Sequence, residues 1–233
     1  MRGMKWSLGL IGGLVAIGFA LWQISRARCF VLTGEITCRI ETDRKLVALT
    51  LDDGPTVAGL DAALPVLAAH DATATFFLIG HEVERQPGLV RRIVADGHEI
   101  GNHSYTHDMM VGHPAAFYDA EIVRTHHLLV RAGAPAPRLF RPPYGKKLWG
   151  LPRAVERHGY RMIMIDVEEP ETTDPRAYAG RLVAQAKPGS ILLMHLMYRT
   201  NRTAREALPL VLDGLQARGF RVVTVGELRR QAR

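Results

Sequence analysis

The chain has 233 residues, 47% of them hydrophobic, a formal net charge of +7 at pH 7 and two cysteines. That length is enough for one α/β domain with a full core, and the sequence carries no internal repeat, no low-complexity tract and no second domain. The basic residues are scattered, with small clusters at Arg138–Arg141, Lys146–Lys147 and Arg229–Arg230. This suits an acidic partner such as an anionic cell-envelope polymer or a membrane surface, whereas the lack of a recognition motif and of interleaved aromatic and basic residues argues against nucleic acid.

In chain order, Trp6–Ser25 contains no charge and is nearly all apolar or glycine, with Arg2 and Lys5 before it and Arg26 and Arg28 after it. A run of this length matches a bilayer span. No small-residue cleavage site follows it, so an uncleaved N-terminal transmembrane helix over residues 1–28 is expected rather than a removed signal peptide. Its flanks are similarly charged and leave its orientation open. The domain beyond it is then expected to be periplasmic or extracellular, or secreted if the segment is cleaved. Residues 29–44 form a connector with room for one strand. Cys29 and Cys38 lie here; they pair if this side faces an oxidising compartment and otherwise stay as free thiols. No histidine or third cysteine is near enough to suggest a metal site.

The domain proper is placed at 45–231. Strands are predicted at Lys45–Leu51, Thr73–Ile79, Gly97–Gly101, Leu139–Phe140, Arg161–Val167, Ser190–Met194 and Phe220–Val225, from apolar and β-branched runs bounded by turn residues. Between them helices are predicted near Leu60–Ala69, Pro87–Ala95, Pro114–Ala132, Leu151–His158, Pro175–Ala186 and Arg202–Arg218, with a short one at the end. Proline at several helix starts and Gly133 after the third helix support these limits. Strictly alternating strands and helices predict parallel βα units. About seven units fall short of a full eightfold barrel, so the expected fold is α/β, a distorted (β/α) barrel of about seven strands.

The chemistry-bearing residues sit at strand ends. Thr50-Leu51-Asp52-Asp53-Gly54-Pro55 carries an almost wholly apolar strand into two adjacent carboxylates and then a forced turn. Alone, this reads as an Asx-turn. At the carboxyl rim of a parallel sheet it delivers two acids to the place where such folds do chemistry, and two carboxylates so close call for a cation or another stabilising group. His103-Ser-Tyr-Thr-His107 follows the third strand, and histidines four apart share one face of a helical turn. The pair alone is a common surface arrangement; with an acid from another strand it becomes a two-histidine, one-carboxylate site for metal-assisted hydrolysis. Arg141-Pro-Pro-Tyr-Gly145 is either a rigid polar turn or a motif in which Arg141 fixes and ionises a carboxylate. In the same motif Pro143 and Tyr144 hold backbone able to meet an oxyanion. His195 follows an apolar strand, where a histidine is often merely buried, but it is also placed to act as a general acid. The other seven histidines (His70, His81, His98, His113, His126, His127 and His158) fit no motif.

Taken together and in this order, Thr-Leu-Asp-Asp-Gly-Pro, His-Ser-x-x-His, Arg-Pro-Pro-Tyr-Gly and Leu-Met-His resemble the motifs of the NodB-homology polysaccharide deacetylases, carbohydrate esterase family 4. The resemblance runs from about Lys45 to Leu228. It implies a distorted barrel that binds zinc or another divalent ion (cobalt, nickel or manganese) and removes acetyl groups from acetylated polysaccharide. By position it implies Asp52 as general base, Asp53, His103 and His107 as metal ligands, Arg141 as the residue positioning the base, Tyr144 at the oxyanion and His195 as general acid. Two departures stand out. The family's Asp-x-x-Asp-Trp motif is replaced by Asp166-Val-Glu-Glu-Pro-Glu171, which leaves Glu168 and Glu171 as candidates for orienting His195. Leu196 stands where many members have aspartate. These changes keep open a small-amide or cyclic-imide hydrolase on the same scaffold, or a non-catalytic glycan-binding relative.

Overall fold

A computed structural model describes residues 2–232, with side chains from residue 12 onward. Helix α1 (Arg2–Arg26) leads into a short strand β1 (Ile36–Thr37), then β2 (Leu46–Asp52), α2 (Val57–Ala69), β3 (Ala74–Leu78), α3 (Gly80–Arg85), α4 (Pro87–Ala95) and β4 (Glu99–Asn102). The second half holds α5 (Ala115–Arg131), β5 (Leu139–Phe140), α6 (Gly150–Arg157), β6 (Arg161–Ile163), α7 (Pro175–Gln185), β7 (Ile191–His195), α8 (Arg202–Ala217), β8 (Arg221–Val223) and α9 (Val225–Gln231).

The strands form one curled parallel sheet in the order β1-β6-β5-β4-β3-β2-β7, with β8 paired to the amino-terminal half of β2. The sheet does not close by a continuous ladder. Only isolated bridges, Val167 with Leu192 and Arg39 with Ser190, join β7 to the far end. Strand β2 explains the layering. Its residues are all buried, because a parallel strand is covered on both faces. Leu46 and Ala48 turn inward with Phe77, Leu139, Ile163, Ile191 and Leu193 to fill the barrel. Val47, Leu49 and Leu51 turn outward against Leu60, Leu64 and Leu67 of α2 and Leu208 and Leu212 of α8. The inward set ends in Thr50 and Asp52, so the apolar filling gives way to a polar layer at the carboxyl rim.

Three boundaries differ from expectation. The sheet has eight strands among the described residues, since β1 forms in the connector. Helix α3 was not anticipated, being too short to display a helical period. The strand expected at Arg161–Val167 stops at Ile163; its last rung is Met164 N–H to Thr37 O, the end of β1. Asp166 then turns to accept from Ser190 Oγ and Ile191 N–H at 2.7 Å each, capping β7 instead of extending the ladder.

The amino-terminal run also needs correction. It forms α1, but among the described residues no helix is long and apolar enough to cross a membrane. The expected transmembrane span is therefore unsupported, and its first part, residues 6–11, lies outside the described side chains. The far end of the helix is tied to the domain. Lys147 N–H donates to Ser25 O at 3.1 Å, and the buried Lys147 ammonium donates to Ala27 O. Lys146 Nζ lies 4.4 Å from the centre of the Trp22 ring. Cys29 and Cys38 form a disulfide, and Thr33 Oγ1 donates to Trp149 O at 3.2 Å. Replacing both cysteines by serine is expected to cost roughly 2–3 kcal/mol from the lost loop constraint. It would be read as a lower urea midpoint, with reductant moving the wild type and not the variant.

Candidate active site

Asp52 ends β2, in register with Phe77 of β3 on one side and His195 of β7 on the other. Side chains of successive strand residues diverge, so Asp53 reaches the same cleft only because the chain turns at once. Asp53 has φ 76° and Gly54 φ 69°. The turn is held by Asp53 N–H donating to Phe77 O at 3.1 Å and Ile79 N–H donating to Gly54 O at 3.0 Å. A Cβ on Gly54 would meet the Met197 side chain at 2.8 Å, which adds close packing to the conformational reason for glycine.

His103 and His107 were expected on one helical turn; the structure instead places them on an irregular loop after β4. Ser104 and His107 there have φ of 66° and 65°. The loop is held from below. Asn102 Oδ1 accepts from Ser104 N–H at 3.0 Å, and Ser104 Oγ accepts from His107 N–H at 3.1 Å. Glu121 of α5, itself buried, accepts from Tyr105 N–H and Thr106 N–H at 2.8 Å each and from Thr106 Oγ1 at 3.1 Å. The two imidazoles end 5.0 Å apart between ring centres.

Asp53, His103 and His107 converge. Asp53 Oδ1 is 3.3 Å from His107 Nε2 and 3.8 Å from His103 Nε2, and one ligand atom from each lies within 4.8 Å of the others. His103 Nδ1 lies 2.8 Å from Arg141 O. A carbonyl only accepts, so Nδ1 carries the proton and Nε2 keeps its lone pair. Burial pushes His103 down to about 4, keeping it neutral. Burial, reinforced by Asp52 and Glu169 against the opposing pull of His195, pushes Asp53 up to about 6. Asp53 Oδ1 is buried and has no hydrogen-bond partner among the described residues. An unpartnered carboxylate oxygen facing two lone pairs fits a divalent cation, and the N,N,O donor set is one that zinc and neighbouring transition metals accept.

Asp52 is held differently. Arg141 Nη1 donates to Asp52 Oδ1 at 2.6 Å and to Thr50 Oγ1 at 2.7 Å, while its Nε and Nη2 donate to Ile163 O and Met164 O at 3.2 Å each. The guanidinium lies 4.2 Å from the Phe77 ring centre, and a Cβ at Gly101 would collide with that ring. Burial raises the Asp52 carboxyl, but Arg141, His103 and His195 outweigh it and hold the group below the ordinary aspartate value.

His195 Nδ1 donates to Glu169 Oε1 at 2.7 Å, and its backbone N–H donates to Glu169 Oε2 at 3.1 Å. Tyr178 OH also donates to that carboxylate, at 2.5 Å. Burial lowers His195, but the Glu169 bond and the charges of Asp52, Glu169 and Asp53 raise it overall, to about 9. The orienting acid is thus Glu169 and neither Glu168 nor Glu171. Glu168 lines the same cleft but pairs with Arg28 at 3.3 Å, and Glu171 is exposed. Tyr144 has φ 56° in a short turn over Pro143–Gly145, and its ring packs on His107 with centres 4.8 Å apart. Pro142 lines the cleft, whereas Pro143 is buried behind it.

Asp52, Asp53, His103, His107, Arg141 and His195 line one cleft of about 580 Å³. A cavity of equal volume lies elsewhere, between Ala136–Leu139, Arg161 and Arg230, and holds none of the carboxylate–imidazole set. Residues 39–163, more than half of the chain, match the family model described as polysaccharide deacetylase. The chain belongs to the polysaccharide deacetylase family. A peptidoglycan-N-acetylglucosamine deacetylase of Bacillus cereus is 32% identical over 85% of this chain and 94% of its own. A chitooligosaccharide deacetylase of Bradyrhizobium is 34% identical over 78% of this chain and 90% of its own. The crystal structure of a peptidoglycan N-acetylglucosamine deacetylase bound to a hydroxamate-type ligand superposes with a TM-score of 0.78 at 28% identity, covering 84% of this chain and 92% of that one. The protein is thus a polysaccharide deacetylase by family, a class of hydrolases acting on non-peptide amide bonds.

Sequence reasoning missed two residues that hold this site together, Glu169 and Glu121. The acid cluster at 168–171 offered three choices with no period to separate them, and Glu121 reads as one more polar residue of an amphipathic helix. Glu121→Ala is expected to release the His103–His107 loop and weaken zinc binding about 10–100-fold, measured by competition with a chromogenic chelator, while Asp61→Ala at an exposed ion pair leaves it unchanged.

Proposed function

We propose that the protein is a metal-dependent deacetylase of an N-acetylglucosamine-containing polysaccharide, peptidoglycan-like or chitin-like, acting outside the cytoplasm. The observation that carries this reading is the unpartnered Asp53 oxygen set against two imidazole lone pairs, beside an Asp52 kept ionised by Arg141. The Cys29–Cys38 disulfide supports an oxidising compartment.

A divalent ion held by Asp53, His103 and His107, zinc or another transition metal, supplies Lewis acidity that acidifies water and polarises a carbonyl. Asp52 supplies the base. Its carboxylate accepts the proton of the water that adds to the acetyl carbon, and Arg141 keeps it charged and fixed while it waits. The developing oxyanion falls to the backbone amide of Tyr144 at the cleft edge. His195 supplies the acid. With Nδ1 committed to Glu169, its other nitrogen carries the proton that passes to the departing amine as the C–N pair leaves with nitrogen. Acetate and a free amino sugar result.

The test is acetate release from N-acetylglucosamine oligomers by chelator-treated protein with and without added zinc or cobalt. Release is expected only with metal, and Asp52→Asn should lower kcat about 10²–10⁴-fold. No release with any metal on any acetylated glycan would refute the reading. The second test is a pH profile. His195 must be protonated to act, and its folded value is raised to about 9, so kcat/KM should fall as pH rises through that region. Glu169→Gln removes the charge that raises it, and the alkaline limb should move to lower pH.

A further inference from the structure

The cleft is walled on one side by the arm that precedes the barrel. Arg26 and Arg28, at the end of α1 and just past it, line the same cavity as Asp52, Asp53 and His195, together with Lys146 and Glu168. Arg28 and Glu168 face each other at 3.3 Å and offset one another. Arg26 and Lys146 have no acidic partner among the described residues. On the floor, Asp52 is paired with Arg141, and Asp53 faces the two imidazoles, 3.3 Å from His107 and 3.8 Å from His103, as a ligand set would. The rim therefore keeps an excess of two cations facing a concave site, where a field is focused rather than dissipated.

This wall is built into the fold. The Lys146 head lies over the Trp22 ring. The adjacent Lys147 is buried, with its backbone N–H bonded to Ser25 O and its ammonium to Ala27 O. Cys29–Cys38 closes the arm just beyond. A neutral glycan gains nothing from two cations placed there. A carboxylate on a neighbouring sugar would pair with both, and the planar Arg26 fork suits that group.

We propose that Arg26 and Lys146 are specificity-determining residues that select an acidic polysaccharide, one with a carboxylate on a sugar adjoining the acetylated one. This rests on the deacetylase reading above. The probes are two tetrasaccharides, one of N-acetylglucosamine alone and one in which it alternates with N-acetylmuramic acid, which carries a carboxylate. Wild-type protein is expected to prefer the acidic oligomer in kcat/KM, and the preference should shrink as salt rises from about 0.05 to 0.5 M, where screening becomes short-ranged. Arg26→Gln/Lys146→Gln should reduce the acidic-to-neutral ratio roughly fivefold or more, whereas Arg26→Lys/Lys146→Arg should retain it. The same ratio is read from calorimetric binding to an Asp52→Asn background, which needs no turnover. Equal use of both oligomers by wild type, a salt-independent preference, or a ratio unchanged by the glutamine pair overturns the proposal. Failure to hydrolyse either oligomer overturns the deacetylase reading instead, and the binding ratio still decides the role of the wall.

Discussion

Two adjacent carboxylates at the end of one buried strand impose the constraint from which the rest of the site follows. Burying both charged and close together is unfavourable unless each has its own compensation. Asp52 receives a guanidinium whose three nitrogens all donate, and Asp53 receives two imidazoles arranged as a cation would need them. The two acids therefore end with opposite characters, one held below the ordinary aspartate range and the other pushed up to about 6. The supporting parts follow from this split. Phe77 lies under Arg141, and Gly101 lacks a side chain so that the ring can lie there. Thr50 interrupts an apolar strand interior to accept one more donor from Arg141. A buried ion pair is no guarantee of stability; here its consequence is an Asp52 carboxyl held in its ionised form.

Backbone strain maps onto the same place. Five non-glycine residues have positive φ among those described; three of them, Asp53, His107 and Tyr144, line the cleft, and a fourth, Ser104, is buried in the loop that carries the two histidines. Such conformations persist only where surrounding bonds over-determine them. The bonds are visible in Glu121 beneath the histidine loop and in the Phe77 and Gly54 carbonyls around the Asp-Asp turn. The rigid sheet fixes the height of Asp52 and His195 by register. The strained loops then bring Asp53, His103 and His107 to the same cleft from either side.

The sequence disclosed what depends on period and punctuation. Strand β2, the alternation of strands and helices, and the acids and histidines at strand ends are all legible because apolar runs and turn residues mark them directly. What it hid depends on distance in three dimensions. The spacing of His103 and His107 suggested a helical turn, yet left-handed Ser104 and His107 reach the same convergence by loop geometry. Choosing Glu169 from three neighbouring acids requires knowing which way the chain leaves β6, and that is decided by Asp166 capping β7. The uncharged amino-terminal run matched a bilayer span in length and composition alone. Its docking through Ser25 and Ala27 could not be read from either.

The buried ammonium of Lys147 gives the amino-terminal arm a consequence for how the enzyme is handled. Its donors are spent on Ala27 and Gly145 carbonyls, one of which belongs to the arm, while the family match begins only at residue 39. A recombinant protein trimmed to that boundary would keep the whole carboxylate–imidazole set yet lose one bank of its cleft. It would also leave a formerly enclosed cation open to water directly behind the Tyr144 turn.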